Sequence, residues 1–172
     1  MKILVTGGAG FIGSAFIRYM VKNYPAYHII CFDKLTYAGN RDNLREVEHK
    51  PNYEFIQGDV QDLNFLVWLF RHVDVVVHFA AESHVDNSLG NSLLFTHSNV
   101  IGTHSVLEAC RVSCVKKLVH ISTDEVYGDI LEGSFDEDAK LFPTNPYSAS
   151  KAAAEMMLKS YIKTYKLPAV VV

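Results

Sequence analysis

Tyr147 and Lys151 stand four residues apart in Asn145-Pro146-Tyr147-Ser148-Ala149-Ser150-Lys151. Asn145 suits a helix N-cap and Pro146 the first helical position, so a helix is expected to begin there. At this spacing the phenol and the amine share one helix face. An ammonium beside a phenol favours the phenolate and lowers its pKa, which makes Tyr147 a base for an alcohol proton. Two exposed helix residues are the competing reading, because the pair alone is common by chance. A second group is Thr123-Asp124-Glu125. Thr123 could hydrogen-bond a substrate hydroxyl. If Asp124 and Glu125 share a closed pocket, one pKa rises, which supplies an acid and a base at one pH, as removal of water requires. A solvated acidic turn is an equal reading.

Gly7-x-x-Gly10-x-x-Gly13 follows a strand-like run and opens a helix. Gly7 permits a tight turn, Gly10 lets the backbone approach a pyrophosphate, and Gly13 lets the helix pack on the strand. The helix N-terminus offers free N–H groups and a positive dipole end. Asp33 ends the next strand 20 residues beyond Gly13, where a carboxylate meets the adenosine ribose hydroxyls. A carboxylate there repels a 2′-phosphate, so NAD is expected over NADP. Lys34, its neighbour, weakens that preference a little. The nicotinamide's charge would add to that of Lys151 beside Tyr147. Asp59 and Val60 either flank the adenine or belong to a turn at Gly58-Asp59. Ala80 and Ala81 are small enough for a backbone to approach the cofactor, and Ser83 and His84 could contact substrate or its phosphates. No second His or Cys stands at ligand spacing from His84, so no metal is expected. Asn99 could reach the nicotinamide region, with a plain helix residue as the competing reading.

These groups need a scaffold that gathers strand ends. Strands are expected at Lys2–Thr6, His28–Asp33, Tyr53–Gln57, Asp74–Phe79, Lys116–Ser122 and Ala169–Val172. Helices are expected at Phe11–Asn23, Asn40–His49, Leu63–Phe70, Ser88–Arg111 with a break near Gly90, and Pro146–Lys166. Near-continuous apolar strands alternating with helices imply an α/β fold, a Rossmann-type doubly wound parallel sheet. Ligand sites in such sheets lie at the carboxyl ends of the strands. Asp129–Thr144 is expected as a surface loop. A final strand with nothing after it suggests that residues 1–172 are one cofactor-binding domain with catalytic residues, cut before a C-terminal substrate domain. Alone, such a chain is expected to be poorly soluble or self-associating.

With 16 basic and 19 acidic residues the net charge is −3, and no nucleic-acid partner is expected. No apolar run reaches the length of about 18 residues that spans a membrane, so no membrane association is expected. The N-terminus reads as a strand rather than a signal peptide. Cys31, Cys110 and Cys114 form no paired spacing and are read as free thiols in a reducing, cytoplasmic compartment.

The motifs TGGAGFIGS, FDKLTYAGN and YSASK together resemble the extended short-chain dehydrogenase/reductase superfamily, and the likeness runs over the whole chain. STDEVYG with AAESHVD is similar, more narrowly, to the dTDP-glucose 4,6-dehydratase family, with the Asp-Glu pair as the discriminating feature. The resemblance implies cofactor contacts by Phe11, Ile12, Lys34, Thr36 and Gly39 as well as the residues above. It also implies an internal redox cycle on a nucleotide sugar. Tyr147 takes the C4 hydroxyl proton, Glu125 the C5 proton, and Asp124 protonates the departing C6 oxygen. Lys151 tunes Tyr147 and Thr123 positions the sugar. The resemblance further implies a homodimer pairing Ser88–Arg111 and Pro146–Lys166. A nucleotide-sugar epimerase of the same superfamily and a catalytically silent NAD-binding module are the other readings.

Overall fold

The computed structural model describes residues 1–172. Six parallel strands form one sheet in the order β3-β2-β1-β4-β5-β6. They are β1 (Lys2–Thr6), β2 (His28–Asp33), β3 (Tyr53–Gln57), β4 (Val75–His78), β5 (Lys117–His120) and β6 (Ala169–Val171). Chain order runs outward from β1 to β3 and then returns to β4 on β1's other side. The doubly wound expectation is therefore met, and the reversal between β1 and β4 leaves a crevice at their carboxyl ends. Ile3 pairs with Ile29 and Val75, and Thr6 with Phe32 and His78, so the residues entering the crevice sit in register.

Alternation along the strands splits the core. Leu4, Ile30 and Phe32 join Leu66, Phe70, Val106 and Leu158 on one face, while Ile3, Val5 and Ile29 join Ile17, Val21 and Val47 on the other. Side chains of β-strands point to opposite faces with period two, so both faces must be covered. Helix α1 (Phe11–Asn23) serves the second face; α2 (Leu63–Phe70), α5 (Gly102–Val112) and α6 (Pro146–Tyr165) serve the first.

Two expected helices differ. Asn40–His49 is not a helix: only Arg41–Leu44 forms a 3₁₀ turn, started by Asn40 Oδ1 accepting from the Asp42 N–H at 2.9 Å. Leu44 and Val47 anchor the remaining turns in the core. The long stretch from Ser88 divides into α3 (Val85–Gly90), α4 (Ser92–Phe95), a π-helical segment Thr96–Ile101, and α5. The break falls at Asn91, whose non-helical backbone ends α3 and whose side chain accepts from the Leu94 N–H at the start of α4. Asp129–Thr144 is irregular and largely exposed, as expected for a loop. It is tied back where the Phe142 N–H donates to the Val126 carbonyl at 2.9 Å.

Candidate active site

The glycine turn is built by contact. Gly7 has φ +66°, and a Cβ there would lie 2.6 Å from the Ala80 backbone nitrogen. A Cβ at Gly13 would lie 2.3 Å from the Gly7 carbonyl oxygen, so α1 can approach β1 this closely only with glycine. Gly10 caps α1 with no side chain on its first N–H groups, and Phe11 and Ile12 are exposed beside them. The turn therefore offers backbone donors and a helix dipole to an anion at the crevice.

Asp33 is buried and closes the same turn. Its Oδ2 accepts from the Ala9 N–H at 2.9 Å and its Oδ1 from the Leu35 N–H at 2.8 Å. A Cβ at Gly39 would stand 2.6 Å from Asp33 Oδ1, so the segment through Thr36 to Gly39 lies against the carboxylate. Lys34 turns away to pair with Asp59 at 2.7 Å. Burial alone would push Asp59 up, but hydrogen bonds from Lys34 and the Gln61 backbone outweigh it and hold the carboxyl below its usual range. Asp59 Oδ1 accepts from the Gln61 N–H at 3.0 Å, so it does form the turn, at the same strand end as Asp33. Val60 is buried against α5, where a Cβ at Gly102 would meet it at 2.8 Å.

At the end of β4, Ala80 and Ala81 are half-buried, with Ser83 and His84 exposed at the start of α3. Asn99 does not present its amide to the crevice. Its Oδ1 accepts from the Glu82 N–H at 2.8 Å, and its Nδ2 donates to the Glu82 carbonyl at 2.9 Å and to Ser150 Oγ at 2.8 Å. This clamp joins the β4 loop to α6. Glu82 is buried and accepts from the Tyr37 hydroxyl at 2.8 Å, which ties the Thr36–Gly39 segment to the same loop. Neither Glu82 nor Tyr37 stands out by spacing.

Beyond β5, Thr123 caps the 3₁₀ turn Asp124–Tyr127, its Oγ1 accepting from the Glu125 N–H at 3.3 Å. Asp124 is exposed and Glu125 half-buried, so the two do not share a closed pocket in this chain. Glu125 Oε2 accepts from Asn145 Nδ2 at 3.1 Å, while Asn145 Oδ1 caps α6 on the Ser148 N–H at 2.9 Å. One asparagine thus joins the carboxylate turn to the helix that carries Tyr147.

The Tyr147–Lys151 pair differs from the spacing argument. Lys151 Nζ donates to the Ile121 carbonyl at 2.6 Å. Burial lowers its pKa to about 8, opposed by Glu155. The Tyr147 phenol is raised by burial; a hydrogen bond with Thr123 pulls it back in part, and the charges of Glu125 and Asp124 add to the rise. The lowered tyrosine pKa is therefore not met here, because the ammonium bonds the end of β5 and the charges acting on the phenol, those of Glu125 and Asp124, are negative. Behind the pair, His78 bridges Thr6 Oγ1 at 2.6 Å and Thr103 Oγ1 at 3.0 Å, and burial holds its pKa at about 3.

The glycine turn with its open helix end, the Asp33 carboxylate, and the Thr123–Glu125 turn tied to the helix of Tyr147 and Lys151 thus stand at the carboxyl ends of the strands. The model of the GDP-mannose 4,6 dehydratase family matches residues 4–172. The chain belongs to this family. It is 48% identical to dTDP-D-glucose 4,6-dehydratase of Homo sapiens, over 99% of this chain and 49% of that protein. The NAD-bound structure of dTDP-glucose 4,6-dehydratase DesIV from Streptomyces venezuelae superposes with TM-score 0.97 at 46% identity, over 99% of this chain and 54% of that one. UDP-glucuronic acid 4-epimerase from Bacillus cereus, solved with NAD and UDP-glucuronic acid, gives TM-score 0.92 at 35% identity, over 99% and 55%. The likeness to dTDP-glucose 4,6-dehydratases implied by the motifs is met, and the chain spans about half the length of the curated relatives it matches.

Proposed function

We propose that residues 1–172 form the NAD-binding and proton-transfer domain of a nucleotide-sugar 4,6-dehydratase acting on dTDP-glucose. The observation that carries this is the bond from Asn145 to Glu125, which fixes the acidic turn after β5 against the helix bearing Tyr147 and Lys151. The fit to a dinucleotide rests on the cradle at Gly7 and Gly13, the open helix end at Phe11 and Ile12, and the Asp33 carboxylate. Bound there, NAD supplies a reversible hydride acceptor. Ala80, Ala81, Thr36 and Gly39 would border it, with Asn99 holding the β4 loop in place. Ser83 and His84 lie exposed on the substrate side.

Tyr147 takes the proton of the sugar's C4 hydroxyl, and Thr123 holds that hydroxyl beside it. Glu125, oriented by Asn145, removes the C5 proton. Asp124 gives a proton to the C6 oxygen as it leaves as water. With the hydride from C4 returned to C6, the chemistry that bound NAD would supply, and a proton restored at C5, the product is the 4-keto-6-deoxy sugar. A second reading, a 4-epimerase, has support in the structural likeness to UDP-glucuronic acid 4-epimerase. It needs no acid–base pair after β5. Incubation with dTDP-glucose in deuterium oxide separates the two. The dehydratase yields 4-keto-6-deoxy product carrying deuterium at C5, and Glu125→Gln suppresses it. A 4-epimer without deuterium at C5 overturns the proposal.

A homodimer pairing Ser88–Arg111 and Pro146–Lys166 belongs to the same reading. Leu89, Leu93, Ile101 and Met156 are exposed apolar side chains on those helices and support it. The unpaired thiols of Cys31, Cys110 and Cys114 support a reducing, cytoplasmic setting. No helix is long and apolar enough to cross a membrane.

A further inference from the structure

We propose that Glu155 is a positioning residue, a buried carboxylate one helical turn beyond Lys151 that keeps this lysine charged and aimed at the end of β5. The proposal rests on the proton-transfer role given to Tyr147 and Lys151. Glu155 is only 3% exposed, an unusual place for a carboxylate without a partner of opposite charge. Its visible ion pair is with Lys159 at 3.4 Å, but that lysine is about half exposed. A solvent-screened pair returns little, so it does not account for burying the carboxylate.

The other contacts point inward. Glu155 accepts a hydrogen bond from Ser122 Oγ. Ser122 follows Ile121, whose carbonyl holds Lys151 Nζ at 2.6 Å. Adjacent residues at the end of β5 therefore hold the ammonium and the carboxylate, while α6 places both on one face at i and i+4. The other titratable groups around Lys151 are His78 on β4, His120 on β5 and Tyr147 on α6. Burial drives both imidazoles well below their ordinary range, and the charge of Lys151 contributes in each case. They offer the ammonium no counter-charge; Glu155 does, and it opposes the desolvation that lowers Lys151.

Glu155→Gln keeps the shape and the acceptor for Ser122 but removes the charge. Loss of a near counter-charge shifts a pKa by roughly 1–3 units, so Lys151 should fall by about 1 unit or more. Titration of the full chain labelled with ¹³C at lysine Cε reads this directly, with Lys151 assigned through Lys151→Arg. The expected result is a lower midpoint in Glu155→Gln and recovery in Glu155→Asp. The alkaline limb of turnover should move down in pH with it. A midpoint that stays put in folded Glu155→Gln, or that falls as far in Glu155→Asp, overturns the proposal. Should Glu155→Gln fail to fold, Ser122→Ala decides by the same titration: a fall supports the coupling and no change overturns it. The titration needs no substrate. Failure of the wild type to bind NAD or convert dTDP-glucose would therefore sink the functional reading separately.

Discussion

Asp33 shows how one residue can serve two ends. Its place at the end of β2 was legible from spacing alone; its hydrogen bonds to the Ala9 and Leu35 N–H groups were not. Asp33→Ala should narrow the gap between NAD and NADP affinity, since it removes repulsion of a 2′-phosphate. It should also lower folding stability by about 1–3 kcal/mol, because two backbone donors lose an acceptor. Calorimetric titration and urea unfolding measure the two effects. Equal affinity for NAD and NADP in the wild type would overturn the cofactor preference. Tyr147→Phe removes the proposed base and should lower turnover by roughly 10²–10⁴-fold, with NAD affinity little changed. A turnover within threefold of wild type would remove Tyr147 from that role. The types and spacing of Tyr147, Lys151, Asp124 and Glu125 could be read from the chain. The Lys151 bond to a carbonyl 30 residues away could not, and neither could the burial of Glu155. Both depend on how α6 lies across the end of β5.

Elements were read best where a periodic pattern met a cap. Asn145-Pro146 starts α6 where expected, with Asn145 and Ser148 forming a reciprocal capping box. Polar composition alone misled at Asn40–His49, because Asn40 bonds its own backbone neighbour and starts a turn. Apolar periodicity carried through Ser88–Arg111, but it could not show that Asn91 re-caps the chain or that Thr96–Ile101 widens to π-helix. Two glycines give opposite expectations at this scale. Gly13→Ala drives a methyl into the Gly7 carbonyl oxygen, 2.3 Å from the new Cβ, and neither backbone can yield cheaply. It should destabilise by about 1–3 kcal/mol and weaken NAD binding as α1 moves off β1. Gly90, ending α3, has nothing within 4 Å of a new Cβ. Gly90→Ala should stabilise by about 0.4–1 kcal/mol through the unfolded chain's lost freedom. Urea midpoints of the two variants check both signs, and a stabilised Gly13→Ala would overturn the packing argument.

At the scale of the whole molecule, the buried titratable groups set a pH window for stability. His78 falls from an ordinary 6.5 to about 3 on folding, and His120 falls well below 6.5. Both are neutral in the fold and take up a proton when it opens. Unfolding therefore gains as pH drops below 6.5, and stability is lost from there downward. The slope is about 1.4 kcal/mol per pH unit for each imidazole that charges only on unfolding. The paired carboxylate of Glu108, lowered from 4.5 to about 2 chiefly by Arg111, loses its contribution only below 4.5. The interval between 4.5 and 6.5 therefore isolates the imidazoles. On the alkaline side, burial raises Cys31 from 9.0 to about 12 and also raises Cys110, so stability falls as pH climbs past 9.0. Lys151, lowered from 10.5 to about 8, acts oppositely between those values, because the unfolded chain holds the extra proton. His120 provides the control. Neither of its ring nitrogens has a protein hydrogen-bond partner, so an apolar replacement leaves no group orphaned. His120→Leu should keep or raise stability at pH 7.5 and remove one imidazole's share of the acid slope. Urea unfolding at half-unit steps from pH 7.5 to 4.5 measures both. Equal slopes in wild type and His120→Leu would show that this buried imidazole does not drive acid loss.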